Sequence, residues 1–274
     1  MNTDLIILGG GPAGLTAGLY ACRARIPTVL IEKAIPGGQM GATELVENYP
    51  GFPDPILGFE LSMKMEEHAR KFGLEILQED VRRIASDDAD FILETDSGKE
   101  WRCRAVIIAT GSTPGKLGIP GENELAGKGV SYCAVCDGPF FRNTEVAVVG
   151  GGDSAVEEAL YLTRFADKVH IIHRRDRLRA VKEIQERAFA EPKIKVHWKT
   201  VPMKILGDKE VSGISLRNVE DQSVEDLHVG GVFFYVGMKP NTDFLGGLVE
   251  TDPAGFVITD PEMACSRPGV FAAG

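Results

Sequence analysis

Two copies of one short pattern constrain this 274-residue chain more than anything else in it. Gly9-x-Gly11-x-x-Gly14 follows the apolar run Asp4–Leu8. It precedes Leu15–Arg25, where Leu15, Leu19 and Cys22 recur at helical spacing. About 140 residues later, Gly150-x-Gly152-x-x-Ala155 follows Glu145–Val149 and precedes a helical stretch that reaches about Phe165. A second apolar strand comes next in each case, Thr28–Ile31 and Lys168–Ile172. This order is that of a parallel βαβ unit that binds a dinucleotide. The first glycine permits the tight turn, the second lets the pyrophosphate approach, and the third lets helix and strand pack closely, with alanine a tolerated replacement. The helix that opens at the turn offers free N–H groups and a positive dipole end to the phosphates.

The two units differ where the second strand ends. In the first that position is Glu32, a carboxylate able to accept ribose hydroxyls. In the second it is His173-Arg174-Arg175, with Arg177 and Arg179 just beyond. A basic run is ordinarily a solvated surface. At this strand end, however, guanidinium groups suit a 2′-phosphate, so the second site favours NADP(H) over NAD(H). Two dinucleotide sites in one chain pair a flavin with a nicotinamide, and imply hydride transfer between them.

The remaining pattern fills in the architecture. Residues 34–58 are rich in Gly and Pro and read as a long loop. Leu61, Met65, Ala69 and Phe72 mark one face of a helix. Val81–Ala85, Phe91–Thr95 and Glu100–Cys103 read as a meander turned at Asp96-Ser97-Gly98. Val106–Ala109 is a buried-type strand closed by Thr110-Gly111. In the second half a helix over Ala180–Phe189 is followed by short strands from Ile194 to Tyr235, with a turn at Gly207-Asp208. The expected fold is α/β: two Rossmann-like, three-layer dinucleotide-binding domains, each with an inserted antiparallel β-meander. The first domain is discontinuous, residues 1–112 plus 241–274, and the second is 117–238.

Five cysteines do not make a disulfide framework, but two of them lie close, in Cys133-Ala134-Val135-Cys136-Asp137. A zinc site would need a second ligand pair, and no further CxxC or HxxxH is present. Burial of two thiols is one reading of the pair. Dithiol exchange is the other, with one thiol acidified if it lies near a helix N-terminus. Asp137 is placed either to move the proton of that exchange or to cap a helix. Cys22, Cys103 and Cys265 sit in apolar contexts and read as small core residues. A formal net charge of −10 argues against a nucleic-acid partner. No apolar run approaches the ~18 residues of a membrane span. Met1–Asp4 leads directly into the first strand without a targeting signal, so the expected location is the cytoplasm.

Taken together, these motifs resemble bacterial low-molecular-weight thioredoxin reductases. The resemblance is carried by Gly9–Gly14, Gly37-Gly38-Gln39, Glu47–Gly51, Ala109–Gly111, Cys133–Gly138, Gly150–Ala155 with Glu157–Ala159, His173–Asp176, Gly237 and Pro240–Thr242. It implies FAD in the first domain, held by Gly9, Gly11, Pro12, Ala13, Gly14, Glu32, Gly38, Gln39, Asn48, Thr110 and Gly111. It implies NADPH in the second, held by Gly150, Gly152, Asp153, Ser154, Ala155, His173, Arg174, Arg175, Arg179 and Gly237. Hydride passes from NADPH to FAD, and electrons pass on to a Cys133–Cys136 disulfide and then to thioredoxin. By family position Cys136 faces the flavin, Cys133 attacks thioredoxin and Asp137 is the acid/base. The family is homodimeric and rotates its domains about connections that here fall near Gly111–Gly118 and Gly237–Asn241. One departure stands out. The family motif that begins Gly269–Gly274 continues with an aspartate at the flavin and a final helix, which this sequence lacks, so an incomplete C-terminus with a weakened FAD site and dimer surface is expected. Two alternatives are a reductase of another disulfide protein, of peroxiredoxin-system type, and a flavin-free, non-catalytic fragment.

Overall fold

In a computed structural model, which describes residues 1–87 and 90–274, the chain forms two compact units. One comprises Met1–Thr113 and Lys239–Gly274, the other Pro114–Met238.

The first unit begins with β1 (Leu5–Leu8), α1 (Pro12–Arg23) and β2 (Thr28–Glu32). There follow α2 (Gly38–Gly41), β3 (Leu45–Val46), β4 (Ile56–Leu57), α3 (Gly58–Lys71) and β5 (Glu75–Gln78). A meander of β6 (Val81–Asp87), β7 (Asp90–Thr95) and β8 (Glu100–Cys103) leads into β9 (Ala105–Ile108) and β10 (Ser112–Pro114). A five-stranded parallel sheet has the order β9-β1-β2-β5, with a strand at Val270–Ala272 added beside β9. Side chains alternate across it, as a pleated strand requires. Ile6, Leu8, Val29, Ile31, Val106 and Ile108 face the meander residues Phe91, Leu93 and Trp101. Leu5, Ile7 and Leu30 face Leu15 of α1 and Ala69 of α3. Those two apolar layers make the unit three layers deep.

The second unit repeats the plan. β11 (Val130–Ser131) precedes the short helix α4 (Ala134–Asp137), then β12 (Glu145–Val149), α5 (Asp153–Leu162), β13 (Lys168–Ile172), α6 (Lys182–Ala190) and β14 (Ile194–His197). The antiparallel sheet β15 (Thr200–Leu206), β16 (Gly213–Asn218), β17 (Val224–Leu227) comes before β18 (Gly231–Phe234) and β19 (Met238–Pro240). The parallel sheet has the order β11-β18-β12-β13-β14. On one face Val146, Val148, Val169 and Ile171 meet Val156 and Leu162 of α5 and Ile184 of α6. On the other, Ala147, Val149 and Ile172 meet Ile205, Ile214 and Leu216 of the antiparallel sheet.

Several local expectations shift. α1 starts at Pro12, three residues before the first helical apolar position. Proline is favoured there, because its missing N–H would have no intrahelical partner and its φ is already helical. Residues 34–58 are not an unbroken loop, since they contain α2 and the two-residue antiparallel pair β3–β4. Neither is long enough to leave a periodic apolar signature. α5 ends at Leu162 instead of near Phe165, and α6 runs from Lys182 to Ala190. Phe72 lies beyond α3 as its C-cap, half exposed beneath the Arg23 guanidinium.

Candidate functional site

The first cradle is assembled from three separate stretches of chain. Gly9 turns out of β1 with φ +102°, and a Cβ there would fall on the Ala109 carbonyl oxygen. A Cβ on Gly14 would fall on the Gly9 carbonyl oxygen, so α1 lies as close to the turn as backbone permits. Gly11 has open space instead. The nearest atom to a Cβ on it would be the Gly38 Cα, 3.9 Å away. Pro12 and Ala13 form the first turn of α1 beside it. The Gly37–Gly41 segment docks on this turn through Gly37 N–H, which donates to the Gly10 carbonyl (2.8 Å). Gln39 then donates from Nε2 to the Ser112 carbonyl (3.0 Å). Nothing in the spacing of Gly37–Gln39 in the sequence announces that contact.

Glu32 stands at the end of β2 as its position requires. Its Oε2 accepts Gly10 N–H (2.6 Å) and its Oε1 accepts Ala34 N–H (2.9 Å). Each carboxylate oxygen retains a further lone pair for a ribose hydroxyl. Thr110 and Asn241 bond reciprocally. Thr110 Oγ1 donates to the Asn241 carbonyl (2.8 Å), and Asn241 Nδ2 donates to the Thr110 carbonyl (3.0 Å). A cleft of about 470 Å³ opens between these parts, lined by Gly9, Glu32, Thr110 and Asn241 among others. That volume suits a sizeable organic ligand. The open space at Gly11 and the acid at the strand end fit the adenosine and pyrophosphate part of a dinucleotide. Gly111 is exposed with φ +63°, and Asn48 is exposed between β3 and β4.

The second cradle has the same plan with a different lock. Gly151 is buried, and a Cβ there would run into the His173 ring. His173 itself is only 5% exposed. Its Nδ1 lies 2.9 Å from the Gly150 carbonyl oxygen and its Nε2 2.9 Å from that of Arg177. Burial, joined by the nearby Arg179 and Arg175, holds its pKa below the usual range. The sequence expectation places His173 among the NADPH ligands, and the structure sets its ring against the backbone of the glycine loop. Both ring nitrogens face backbone carbonyl oxygens, of which a neutral ring can donate to one, and the ring fills the space beneath Gly151. Arg174, Arg175, Arg177 and Arg179 are exposed, as an anion site needs. The Arg179 and Ala180 N–H groups both donate to the Gly151 carbonyl (2.6 and 3.2 Å), which ties the basic segment to the loop. Asp153 Oδ1 accepts Val181 N–H (2.7 Å) at the start of α6. Gly152 and Ser154 line the open side of the turn, Ala155 is buried beneath it, and Gly237 is exposed.

Cys133 and Cys136 form a disulfide. Cys133 is the N-cap of α4, and its Sγ accepts the Cys136 N–H (3.1 Å). A sulfur at that position takes one of the helix's unpaired donors, as an N-cap oxygen would. Cys136 is exposed, whereas Cys133 and Asp137 are half-buried. The approach to Cys133 is fixed by residues without a sequence signature. Fully buried Glu122 accepts the N–H groups of Leu117, Gly118 and Ile119 and the hydroxyl of Tyr132 (2.9 Å). Ser131 Oγ accepts Cys133 N–H (3.0 Å). The other thiols are unlike this pair. Cys103 is buried and pushed up to about 12 by burial, and Cys22 is likewise buried and raised. Cys265 is half-buried and raised in the same direction.

Residues 3–274 match the family model of pyridine nucleotide-disulphide oxidoreductases. The chain is 52% identical over 272 residues to a thioredoxin reductase of Listeria monocytogenes, covering 99% of this chain and 85% of that protein. Over 272 residues it is 49% identical to the thioredoxin reductase of Bacillus subtilis, with the same coverage. It superposes on the crystal structure of Lactococcus lactis thioredoxin reductase with a TM-score of 0.97 and 49% identity, covering 99% of this chain and 89% of that one. On these matches the chain belongs to the thioredoxin reductase family of pyridine nucleotide-disulphide oxidoreductases.

Proposed function

We propose that the chain is a thioredoxin-disulfide reductase in which one NADPH and one proton convert one thioredoxin disulfide to two thiols. The observation that carries this is the Cys133–Cys136 disulfide, with its N–H-to-sulfur bond, on the same unit as the Gly150–Arg179 cradle. FAD is assigned to the unit of Met1–Thr113 and Lys239–Gly274, and NADPH to Pro114–Met238. When bound, the flavin accepts hydride from the nicotinamide and supplies two electrons to the Cys133–Cys136 disulfide.

In this reading the chain's own residues do the following. The backbone of Gly9–Gly14 and the Glu32 carboxylate hold the pyrophosphate and ribose of FAD. Gly38 and Gln39 close over the turn, and Asn48, Thr110 and Gly111 are assigned to the same FAD site. Gly150–Ala155 hold the NADPH pyrophosphate, and the exposed Arg174, Arg175 and Arg179 bind its 2′-phosphate. In the dithiol, the Cys133 thiolate attacks one sulfur of the thioredoxin disulfide, breaking that S–S bond, releasing the other sulfur as a thiolate and forming a mixed disulfide. Cys136 sulfur then attacks Cys133, restoring the internal disulfide and releasing a thioredoxin thiolate. Asp137, next to Cys136, takes and returns the proton of that exchange. Phe140 is 81% exposed shortly after Cys136 in the chain and offers an apolar contact to a protein substrate.

Homodimerisation and a cytoplasmic location belong to the same proposal. Leu57, Phe59 and Met63, each more than half exposed on α3 and its N-cap, supply an apolar surface suited to a second copy. Among the described residues no helix is long and apolar enough to cross a membrane. The test is anaerobic titration with NADPH followed by thioredoxin. A flavin band that bleaches with NADPH and returns on adding oxidised thioredoxin is the expected result. In Cys133→Ser the band should still bleach, and thioredoxin should no longer restore it. Unimpaired restoration in that variant would remove Cys133 from the relay.

A further inference from the structure

The redox segment is also held by a residue that the relay itself does not use. Tyr235 directly follows β18, and its N–H donates to the Val149 carbonyl (2.8 Å) at the end of β12. It packs under the nucleotide loop, where a Cβ on Gly150 would stand 2.7 Å from the Tyr235 carbonyl oxygen. Its phenol reaches the other way. Tyr235 Oη accepts the Ala134 N–H at 2.9 Å. Ala134 is wholly buried and immediately follows Cys133. Ser131 grips Cys133 itself. Its Oγ accepts Cys133 N–H (3.0 Å) and lies 3.2 Å from the Cys133 carbonyl oxygen, to which it donates in turn. The backbone of Cys133 is therefore fixed on both sides while Cys136 N–H points at its sulfur. Burial, with Glu158 and Asp137 nearby, raises the Tyr235 pKa far beyond its ordinary value, so the phenol remains neutral at working pH.

We infer that Tyr235 is a positioning residue for the redox pair. Through Ala134 it holds Cys133 in the orientation in which the Cys136 N–H stabilises the Cys133 sulfur as a thiolate. The inference rests on the thioredoxin reductase reading for what that thiolate attacks. The bond network itself lies within one unit.

The test uses the holoenzyme reduced with dithiothreitol. Alkylation of Cys133 by iodoacetamide is followed by mass spectrometry from about pH 5 to pH 10, in the wild type, Tyr235→Phe and Ser131→Ala. The wild-type profile is expected to titrate below the ~8.5 of a free thiol. Tyr235→Phe should move it upward by about half to one pH unit, slowing alkylation at pH 7 roughly three- to tenfold. Ser131→Ala, which loosens the other side of the same residue, should move it in the same direction, and it carries the test if Tyr235→Phe does not fold. A merely structural role would lower the melting temperature and leave the profile in place. A Tyr235→Phe profile within about 0.2 pH unit of wild type therefore overturns the inference while leaving the reductase reading intact. If wild-type Cys133 alkylates no faster than a free thiol, the assignment of Cys133 as nucleophile falls, and the inference falls with it.

Discussion

His173 follows β13 and sits against the backbone of the glycine loop, while the arginines beside it are exposed. A neutral imidazole has one N–H, yet both ring nitrogens face backbone carbonyl oxygens. The ring is tied to the Gly150–Gly151 loop, and in the proposed function the exposed guanidiniums beside it bind the 2′-phosphate. The division predicts distinct kinetics. Arg174→Ala or Arg175→Ala should raise KM for NADPH roughly 10- to 100-fold, the value of a charge-assisted hydrogen bond, with kcat nearly unchanged. KM for NADH should move little, since no 2′-phosphate is present to lose its partner. Initial rates with both nucleotides check this, and a parallel rise in both would show that these residues serve the loop and not the phosphate. Glu32 gives the matching case in the first unit. Its oxygens already accept two backbone N–H groups, so Glu32→Gln should loosen the Gly10 turn as well as the ribose site. The expected sign is a lowered flavin-to-protein absorbance ratio after purification, and an unchanged ratio would remove Glu32 from the FAD site.

At the scale of elements, the close approach of α1 to the turn leaves no room for a side chain. Gly14→Ala would push a methyl into the Gly9 carbonyl, at a cost of about 1–3 kcal/mol. Its melting temperature and flavin content should fall together, and retention of both would mean that the helix can shift without consequence. The strands β12, β13 and β14 carry a second device. His170 is 2% exposed, with Nε2 2.7 Å from Glu145 Oε2 and Nδ1 2.9 Å from His197 Nε2. Two neutral rings satisfy this chain, with His170 donating to the carboxylate and His197 donating to His170. Burial, with His170 and Lys195 nearby, lowers His197 to about 4, and burial lowers His170 in the same direction. Folding therefore favours the neutral form of both rings, and unfolding below pH 6.5 takes up protons. The His197 contribution is therefore complete above the unfolded value of 6.5 and is lost as pH falls through that value toward about 4, and that of His170 has the same sign. The slope should reach about 1.4 kcal/mol per pH unit for each proton taken up. Urea midpoints between pH 7 and pH 4 measure it, and His197→Phe should flatten that segment. Superimposable curves would show that the pair contributes nothing. Glu145 is lowered chiefly by its bond to His170, so its own contribution is lost as pH falls through its unfolded value of 4.5, at the acid end of the same range.

For the whole molecule, the two cradles predict two separate ligand footprints. Hydrogen exchange with added FAD should slow at Gly9–Gly14 and Gly37–Gln39. With NADP⁺ it should slow at Gly150–Ala155 and Arg174–Arg179. A footprint of NADP⁺ on the first set would reverse the assignment of cofactors to units. Both glycine turns, both parallel sheets and the meanders were legible from the order of residues, because each is a local pattern. A strand of alternating or continuous apolar residues, a turn that only glycine permits and a helix with an apolar face each leave a short-range signature. The reach of Gln39 to Ser112, the reciprocal bonds of Thr110 and Asn241, and the grip of Tyr235 on Ala134 join residues 73, 131 and 101 positions apart. Nothing in the spacing of such pairs records that they meet. The sequence by itself determined which groups the chain holds: two glycine turns between strand and helix, an acid at one strand end and arginines at the other, and a pair of cysteines. The tertiary structure decided which backbone groups hold those residues in place. A side chain's type is local, but the hydrogen-bond partners available to it depend on which distant segments the packed sheets bring alongside.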